Sequence, residues 1–399
     1  MITEIKTYSP LCLPINWQSE RIENNDQRFS VLKSMLKSRN EVNVCEVTWP
    51  MGYGSLEHDN LPILYQPTAV LYLHELEQEV DVVQAKLYCY DNCLAVLSLD
   101  LTIPQLVDNL DDLAITQRVE KLSNKHLSSL FEFLYQEGGR DLLIAPSTYQ
   151  FFVDSKESLT SAQPLWVARM LNKAEETPVE DYFGWLKNID KTSDVLLLGS
   201  GNSLLIDKCY FDDVHRVMVM SQFHSALMAR IETIIKLSLK KFNSSYYHTD
   251  YVKDIEKDMS LHQHRNDHIE YINIQFSAAI AGVQGKRRML LEQFNQAWQV
   301  TSQQSRIGNL SDLLQRRLNR LVTEKLSHQN RVIQTLLAFL GALTLVSLIA
   351  DLTGLAQSVD HSETTGLLDA INLVSIESLI TSVIVLVVLI TIYFYKNHE

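Results

Sequence analysis

Two apolar runs near the end of the chain limit what it can fold into. Val332–Ala350 reads VIQTLLAFLGALTLVSLIA and holds no charge in 19 residues. Ser378–Tyr395 reads SLITSVIVLVVLITIYFY and holds none in 18. At 1.5 Å per residue each helix is roughly 27–29 Å long, about one hydrocarbon core of a bilayer. A helix in the core of a soluble protein normally keeps one polar face toward water. Both runs are apolar all round, so the pattern predicts a C-terminal two-helix transmembrane hairpin, with helix 1 over 332–350 and helix 2 over 378–395.

The flanking charges orient the hairpin. Arg316, Arg317, Arg320, Lys325 and Arg331 precede the first run, and Lys396 follows the second. The stretch 351–377 has no Lys or Arg but carries Asp351, Asp360, Glu363, Asp369 and Glu377. Positive-inside bias therefore predicts an acidic extracytoplasmic loop over 351–377, a cytoplasmic tail over 396–399, and both termini on the cytoplasmic side of an inner (plasma) membrane. The opening stretch MITEIKTYSPLCLPINW lacks the basic and apolar regions of a secretory signal. On this reading most of the 399 residues lie in the cytoplasm.

Composition narrows the function. A net charge of −13 argues against nucleic acid as a partner. The five cysteines are scattered, as in a reducing compartment. Cys89 and Cys93 flank a predicted turn at Asp91-Asn92, and zinc would need two further ligands there, so no metal is expected.

Residues 1–40 read as a polar lead-in with a short helix at Arg28–Lys37. From Val42 to about Asp100, the runs VNVCEVTW, TAVLYLHEL, EVDVVQAKLYCY and CLAVLSLDL are rich in β-branched and aromatic residues and predict strands, with a tight turn at YDN. Leu106, Leu110, Leu113, Val119 and Leu122 recur at helical spacing and predict a helix over Pro104–Gln136. RDLLIAP and Trp166–Leu171 read as strands, and Val179–Ile189 as a short helix. From Asp213 the pattern is helical: Asp213–Phe242, then Tyr251–Val300 with weak points at Gly282 and Gly285. A third helix begins near Leu310, with leucines 310, 314, 318 and 321 at coiled-coil-like steps. The expected architecture is an α+β cytoplasmic domain over 1–210, a long coiled-coil-like helical stalk over 211–331, and the membrane hairpin.

Four groups of residues are candidates for function. Gln334, Gly341, Thr344, Ser347 and Asp351 follow one another at steps of seven, three, three and four, which places them on one side of the first span. They read either as a pore lining with Asp351 at the outer mouth or as small and hydroxyl residues that let helices pack closely. Asp360, Glu363 and Asp369 would attract cations to that mouth. Gly199, Ser200, Gly201 and Asn202 form a glycine-rich turn between two apolar runs. No helix start follows it, so a β-hairpin is favoured, with a ligand turn as the other reading. His262, His264 and His268 lie near Asp258 and Asp267, a polar helix face rather than a zinc site. No catalytic triad or phosphate-cradling loop is evident, and the chain reads as a non-enzyme.

A cytoplasmic domain, long helices leading into a first span, a short acidic outer loop and a second span with a basic end: this plan resembles the CorA superfamily of divalent-cation channels and transporters. The family's Gly-Met-Asn signature lies just beyond the first span, where this chain reads Asp351-Leu352-Thr353-Gly354-Leu355 and lacks Met and Asn. The resemblance implies a homo-pentamer in the lipid bilayer, a pore lined by the first span, and a divalent cation such as magnesium, with no other cofactor. Divergent relatives without the signature act in prokaryotic antiviral defence, which implies as a further partner a small nucleotide signal bound in the cytoplasm.

Overall fold

The computed structural model describes residues 3–17, 25–49, 61–104, 110–138, 156–187, 194–245 and 252–358, with isolated positions at 378, 381, 384 and 385. The rest of the second apolar run, the residues Asp360, Glu363 and Asp369, and the strand expected at RDLLIAP fall outside them.

An eight-stranded sheet forms the base of the first unit, residues 1–315. Its strands are β1 (Thr3–Cys12), β2 (Val42–Cys45), β3 (Ala69–Leu73), β4 (Val82–Cys89), β5 (Leu94–Ile103), β6 (Ala168–Asn172), β7 (Leu196–Leu198) and β8 (Asn202–Leu205). Across the sheet they run β2-β3-β4-β5-β1-β6-β8-β7, and every neighbouring pair is antiparallel except β6 and β8. The expected turn at YDN joins β4 to β5, with Asn92 at φ 61° and Cys93 at φ 58°. Two successive left-handed residues give the turn whose twist suits a hairpin.

The first strand corrects the reading of residues 1–40 as a polar lead-in. β1 lies at the centre of the sheet, paired with β5 from Thr3↔Ile103 to Cys12↔Leu94 and with β6 from Ile5↔Leu171 to Tyr8↔Ala168. Its polarity misleads because Thr7 and Ser9 are fully buried beside Ile5 and Leu11. Pro10 misleads too, since proline is unwelcome in a central strand. Its carbonyl accepts from Leu165 N, so its missing N–H faces the segment beyond the last β6 pair and not β5. The predicted short helix is α1, Asn25–Leu36.

Side chains alternate between two helical layers. One face, with Ile5, Leu11, Leu71, Leu87, Leu97 and Leu99, packs on α1 and α2 (Asp112–Gly138), with α3 (Lys156–Thr160) and α4 (Phe183–Leu186) beside them. The other face meets α5 (Phe211–Ser245), which lies against β1 and β5. Residues 213–224 of α5 are out of water on almost every side, as befits a helix between two layers. α6 (Val252–Gly282) and α7 (Gly285–Ala297) complete that layer, and the break between them falls at the two glycines expected to be weak, with Gly285 at φ 59°. α5, the first of the helices in the region expected as a stalk from residue 211, packs on the sheet over β1 and β5.

α8 runs over Val300–Ser358 and starts ten residues before the predicted Leu310. Its first turns belong to the first unit, where Arg306 forms a two-bond fork to Glu232 of α5 at 2.9 and 2.8 Å. The rest belongs to the second unit, residues 316–399. There the helix is long and apolar enough to cross a membrane, with an 18-residue window of mean hydropathy 2.2, none of it buried. The helix also continues past Ala350 to Ser358, so the start of the expected outer loop is helical. Leu352 and Leu355 carry the apolar pattern through it.

Candidate functional site: a pocket on the sheet and a stripe on the last helix

The register of four strands builds the floor of a pocket. Tyr72 of β3 is opposite Lys86 of β4, Lys86 is opposite Ser98 of β5, and Ser98 is opposite Tyr8 of β1. One pleat along, Gln84, Asp100 and Lys6 form a parallel row. All of these residues point to the side covered by α5. Because α5 starts only at Phe211, part of that face stays uncovered and leaves a pocket of about 260 Å³. Thr48 and Trp49, from the segment after β2, help to wall it.

His215 closes the pocket from the first turns of α5. Its Nδ1 is 2.8 Å from the Tyr8 hydroxyl and its Nε2 is 2.8 Å from the Tyr88 hydroxyl. Burial pushes the imidazole well below its usual pKa, with Lys6 and Lys86 adding to the effect, so it is neutral. A neutral imidazole has one donor and one acceptor, so one tyrosine hydroxyl donates a hydrogen bond to His215 and the other accepts one from it. Burial also raises both phenols above their ordinary value. The Phe211 ring lies parallel to the imidazole at 6.0 Å.

Trp49 stacks on Tyr88 at 5.3 Å and 7°, and the Arg216 guanidinium lies 5.6 Å from the indole centre. On the pocket floor Lys6 is 2.8 Å from Asp100 and 4.9 Å from the Phe211 ring. The Lys86 ammonium is 5.2 Å from the Tyr72 ring. A second pocket, of about 340 Å³, is lined by Asp26, Gln66, Thr68 and Arg216 and shares Glu46, Val47 and Trp49 with the first. Trp49 therefore stands between two cavities.

The glycine turn forms the β7–β8 hairpin. A Cβ on Gly199 would lie 1.8 Å from the Leu186 carbonyl oxygen, and Gly201 holds φ at 87°, so each glycine has a structural reason. The Asn202 side chain is occupied. It donates to Trp185 O at 2.8 Å and to Asp112 Oδ2 at 3.1 Å, and its oxygen accepts from Arg169 at 3.3 Å. Arg169 also bonds the Thr116 hydroxyl and, at 2.7 Å, the Asp112 carbonyl oxygen. These bonds tie the hairpin to α2 and α4.

His268 is 3.1 Å from Asn92 Oδ1 and so steadies the β4–β5 turn; burial lowers its pKa to about 4. His264 is exposed, and the structure does not bring the two together with Asp267, which is also exposed. Among the described residues, no three His, Cys, Asp or Glu side chains are grouped to hold a metal.

On α8, Gln334, Gly341, Thr344, Ser347 and Asp351 are all exposed, and the Thr344 hydroxyl returns 2.8 Å to the Gly341 carbonyl. At 3.6 residues per turn the five positions spread over an arc of about 140°. Leu337, Leu340 and Leu348 fall within that arc, so the polar face is interleaved with leucine.

Lys6, Trp49, Lys86, Tyr88 and His215 were not singled out from the sequence. The one signal for them was charge inside two strand-like runs, Lys6 in TEIKTYS and Lys86 in VVQAKLYC, on a face that should have been apolar. Comparison of the chain with protein-family models, with curated proteins and with solved structures finds no match.

Proposed function

We propose that the chain is a membrane protein of CorA-like plan. It is a homo-oligomer, a pentamer by that resemblance, which conducts cations such as magnesium and is gated by its first unit on the cytoplasmic side. The two apolar runs form a transmembrane hairpin, with 351–377 as the outer loop. The first span lines the pore through Gln334, Gly341, Thr344, Ser347 and Asp351, while Asp360, Glu363 and Asp369 gather cations at its mouth. The helical region leading to the span acts as a coiled-coil-like stalk. The protein binds and conducts rather than catalyses.

The observation that carries this reading is the apolar part of α8. Leu336, Leu337, Phe339, Leu340, Leu343, Leu345 and Leu348 are each at least half exposed, and at 3.6 residues per turn they point in many directions. A lone helix with this surface in water would be an aggregation site, whereas in a bilayer it is satisfied. The polar positions Gln334, Thr344 and Ser347 within it are then the ones for a helix–helix or water-facing side.

The test is magnesium and potassium flux through liposomes holding the purified chain, with Asp351→Asn and Gln334→Leu beside the wild type. Flux whose rate or selectivity changes in both variants is expected. Flux that neither variant alters would overturn the pore lining. A monomer or dimer by native mass spectrometry would overturn the channel, because so few helices cannot enclose a pore.

The sheet-face pocket favours a second reading. Here the protein is a membrane-anchored sensor or effector of an antiviral defence system, and the first unit binds a nucleotide signal or a partner protein and the spans perturb the membrane. A bilayer that leaks without ion selectivity only when the signal is added would support this reading over the first.

A further inference from the structure

The charges inside the sheet-face pocket do not balance. Lys6 is paired with Asp100 at 2.8 Å. Among the described residues Lys86 is in no ion pair, and its ammonium has the Tyr72 ring at 5.2 Å in place of a carboxylate. Lys86 is also partly buried, and its pKa is lowered by that burial and then by the charge of Lys6. Asp100 and Glu77 offset this only from a distance, so the ammonium is short of water and has no carboxylate in contact, a costly state for an ion. Glu46 and Asp212 line the pocket as well, but both are exposed at the mouth, where solvent screens them. Among the described residues, two lysines and one aspartate remain on the floor, an excess of one positive charge.

The walls are aromatic: Trp49, Tyr72, Tyr88 and Phe211 all line the same space. The volume of about 260 Å³ is just below the range of about 300–1,000 Å³ for drug-sized ligands, which limits an occupant to a small molecule.

We propose that this pocket binds a small organic anion that carries a flat aromatic ring, with the anionic group between Lys6 and Lys86 and the ring among Trp49, Tyr72, Tyr88 and Phe211. One negative charge neutralises the floor and gives Lys86 a carboxylate or phosphate in direct contact. The ring exchanges water for aromatic surface, as bases do when they stack on such side chains. Both an aromatic phosphate, such as a mononucleotide, and an aromatic carboxylate have this chemistry. The proposal rests on the first unit being the ligand-responsive part of the protein, but it does not need conduction.

The experiment is calorimetric titration of the full-length chain in detergent with four probes: AMP, 4-hydroxybenzoate, adenosine and inorganic phosphate. At least one of the two ringed anions should bind about tenfold more tightly than either adenosine or phosphate, as one charge-assisted contact implies. AMP alone would assign a phosphate, hydroxybenzoate alone a carboxylate, and both the general class. Lys86→Gln should weaken that binding about tenfold or more, Lys86→Arg should retain it, and Trp49→Ala should weaken it. The unfolding midpoint of each variant checks that it is folded. Ringed anions that bind no better than phosphate, or affinity unchanged in Lys86→Gln, would overturn the proposal. Because binding is read without flux, a chain that binds but does not conduct and one that conducts but does not bind give separate results.

Discussion

Asp213 and Arg287 meet at 3.1 Å with only 1% and 2% of their side chains exposed, so the first turn of α5 is joined to the first turn of α7 by an ion pair out of water. Removal of one partner leaves the other charge buried and uncompensated, whereas removal of both leaves only a packing change. Arg287→Met alone is expected to lower stability by about 3–5 kcal/mol. The double variant Asp213→Leu with Arg287→Met should recover most of that loss. Denaturant unfolding of the full chain in detergent measures both, and a double variant as unstable as the single one would show that the pair is not the cause.

Acid should unfold the first unit in a way that reports its buried histidines. His224 stacks on Phe276 at 3.6 Å with its Nδ1 2.8 Å from the Tyr65 hydroxyl, and burial lowers its pKa from 6.5 to about 3. Above the unfolded value neither state carries the proton, so stability does not depend on pH through this residue. Below it the unfolded chain takes up a proton that the folded chain refuses. Stability then falls by about 1.4 kcal/mol per pH unit until the folded pKa is reached. His215 and His268 act in the same direction. Unfolding free energies from pH 7 down to pH 4.5 should fall less steeply in His224→Gln than in the wild type; an identical slope would remove His224 from the account.

The two glycines of the β7–β8 turn should differ in their tolerance. An alanine at Gly199 meets the Leu186 carbonyl oxygen at 1.8 Å, so backbone must move. At Gly201 nothing lies within 4 Å, and the cost is that of the left-handed backbone alone, about 1–2 kcal/mol. Thermal unfolding should place Gly199→Ala well below Gly201→Ala. The reverse order would contradict the close approach of α4 to this turn.

Leu340 is 54% exposed in the middle of the apolar part of α8. An arginine in the centre of a spanning helix costs about 2.5–3.5 kcal/mol on insertion scales. Leu340→Arg should shift the protein from the carbonate-resistant membrane fraction toward the extractable one, while Gln303→Arg, well before that part, should not. Equal membrane retention of both variants would mean that this stretch does not lie in the hydrocarbon.

What could be read from the sequence followed the strength of each local signal. β3, β4 and β5 were plain because their β-branched and aromatic runs are long and end in turn residues, and Gly282 and Gly285 marked the α6–α7 break for the same kind of reason. β1 was hidden because its buried face carries Thr7 and Ser9, and because Pro10 spoke against a central strand unless its missing donor was known to face away from β5. The pocket was hidden more deeply. Lys6 and Lys86 are 80 positions apart in the sequence and become neighbours only through β5, whose Ser98 and Asp100 set the register between them. His215 looked like one more polar residue at the start of a helix until Tyr8 and Tyr88 were found on its two nitrogens.

The central place of β1 also fixes an order of events during synthesis. Thr7 reaches the Leu99 carbonyl across 92 positions of sequence, and β6 and α5 are made later still. β1 leaves the ribosome before β5, β6 and α5 and must therefore wait for them, and pairings this distant slow folding because a long loop has to close first. Over that interval the edges of β1 are bare, with Ile5, Leu11 and Leu13 beside them, and such edges recruit other strands. A chaperone that holds nascent chains should accordingly meet this protein at β1, long before the apolar run of α8 emerges.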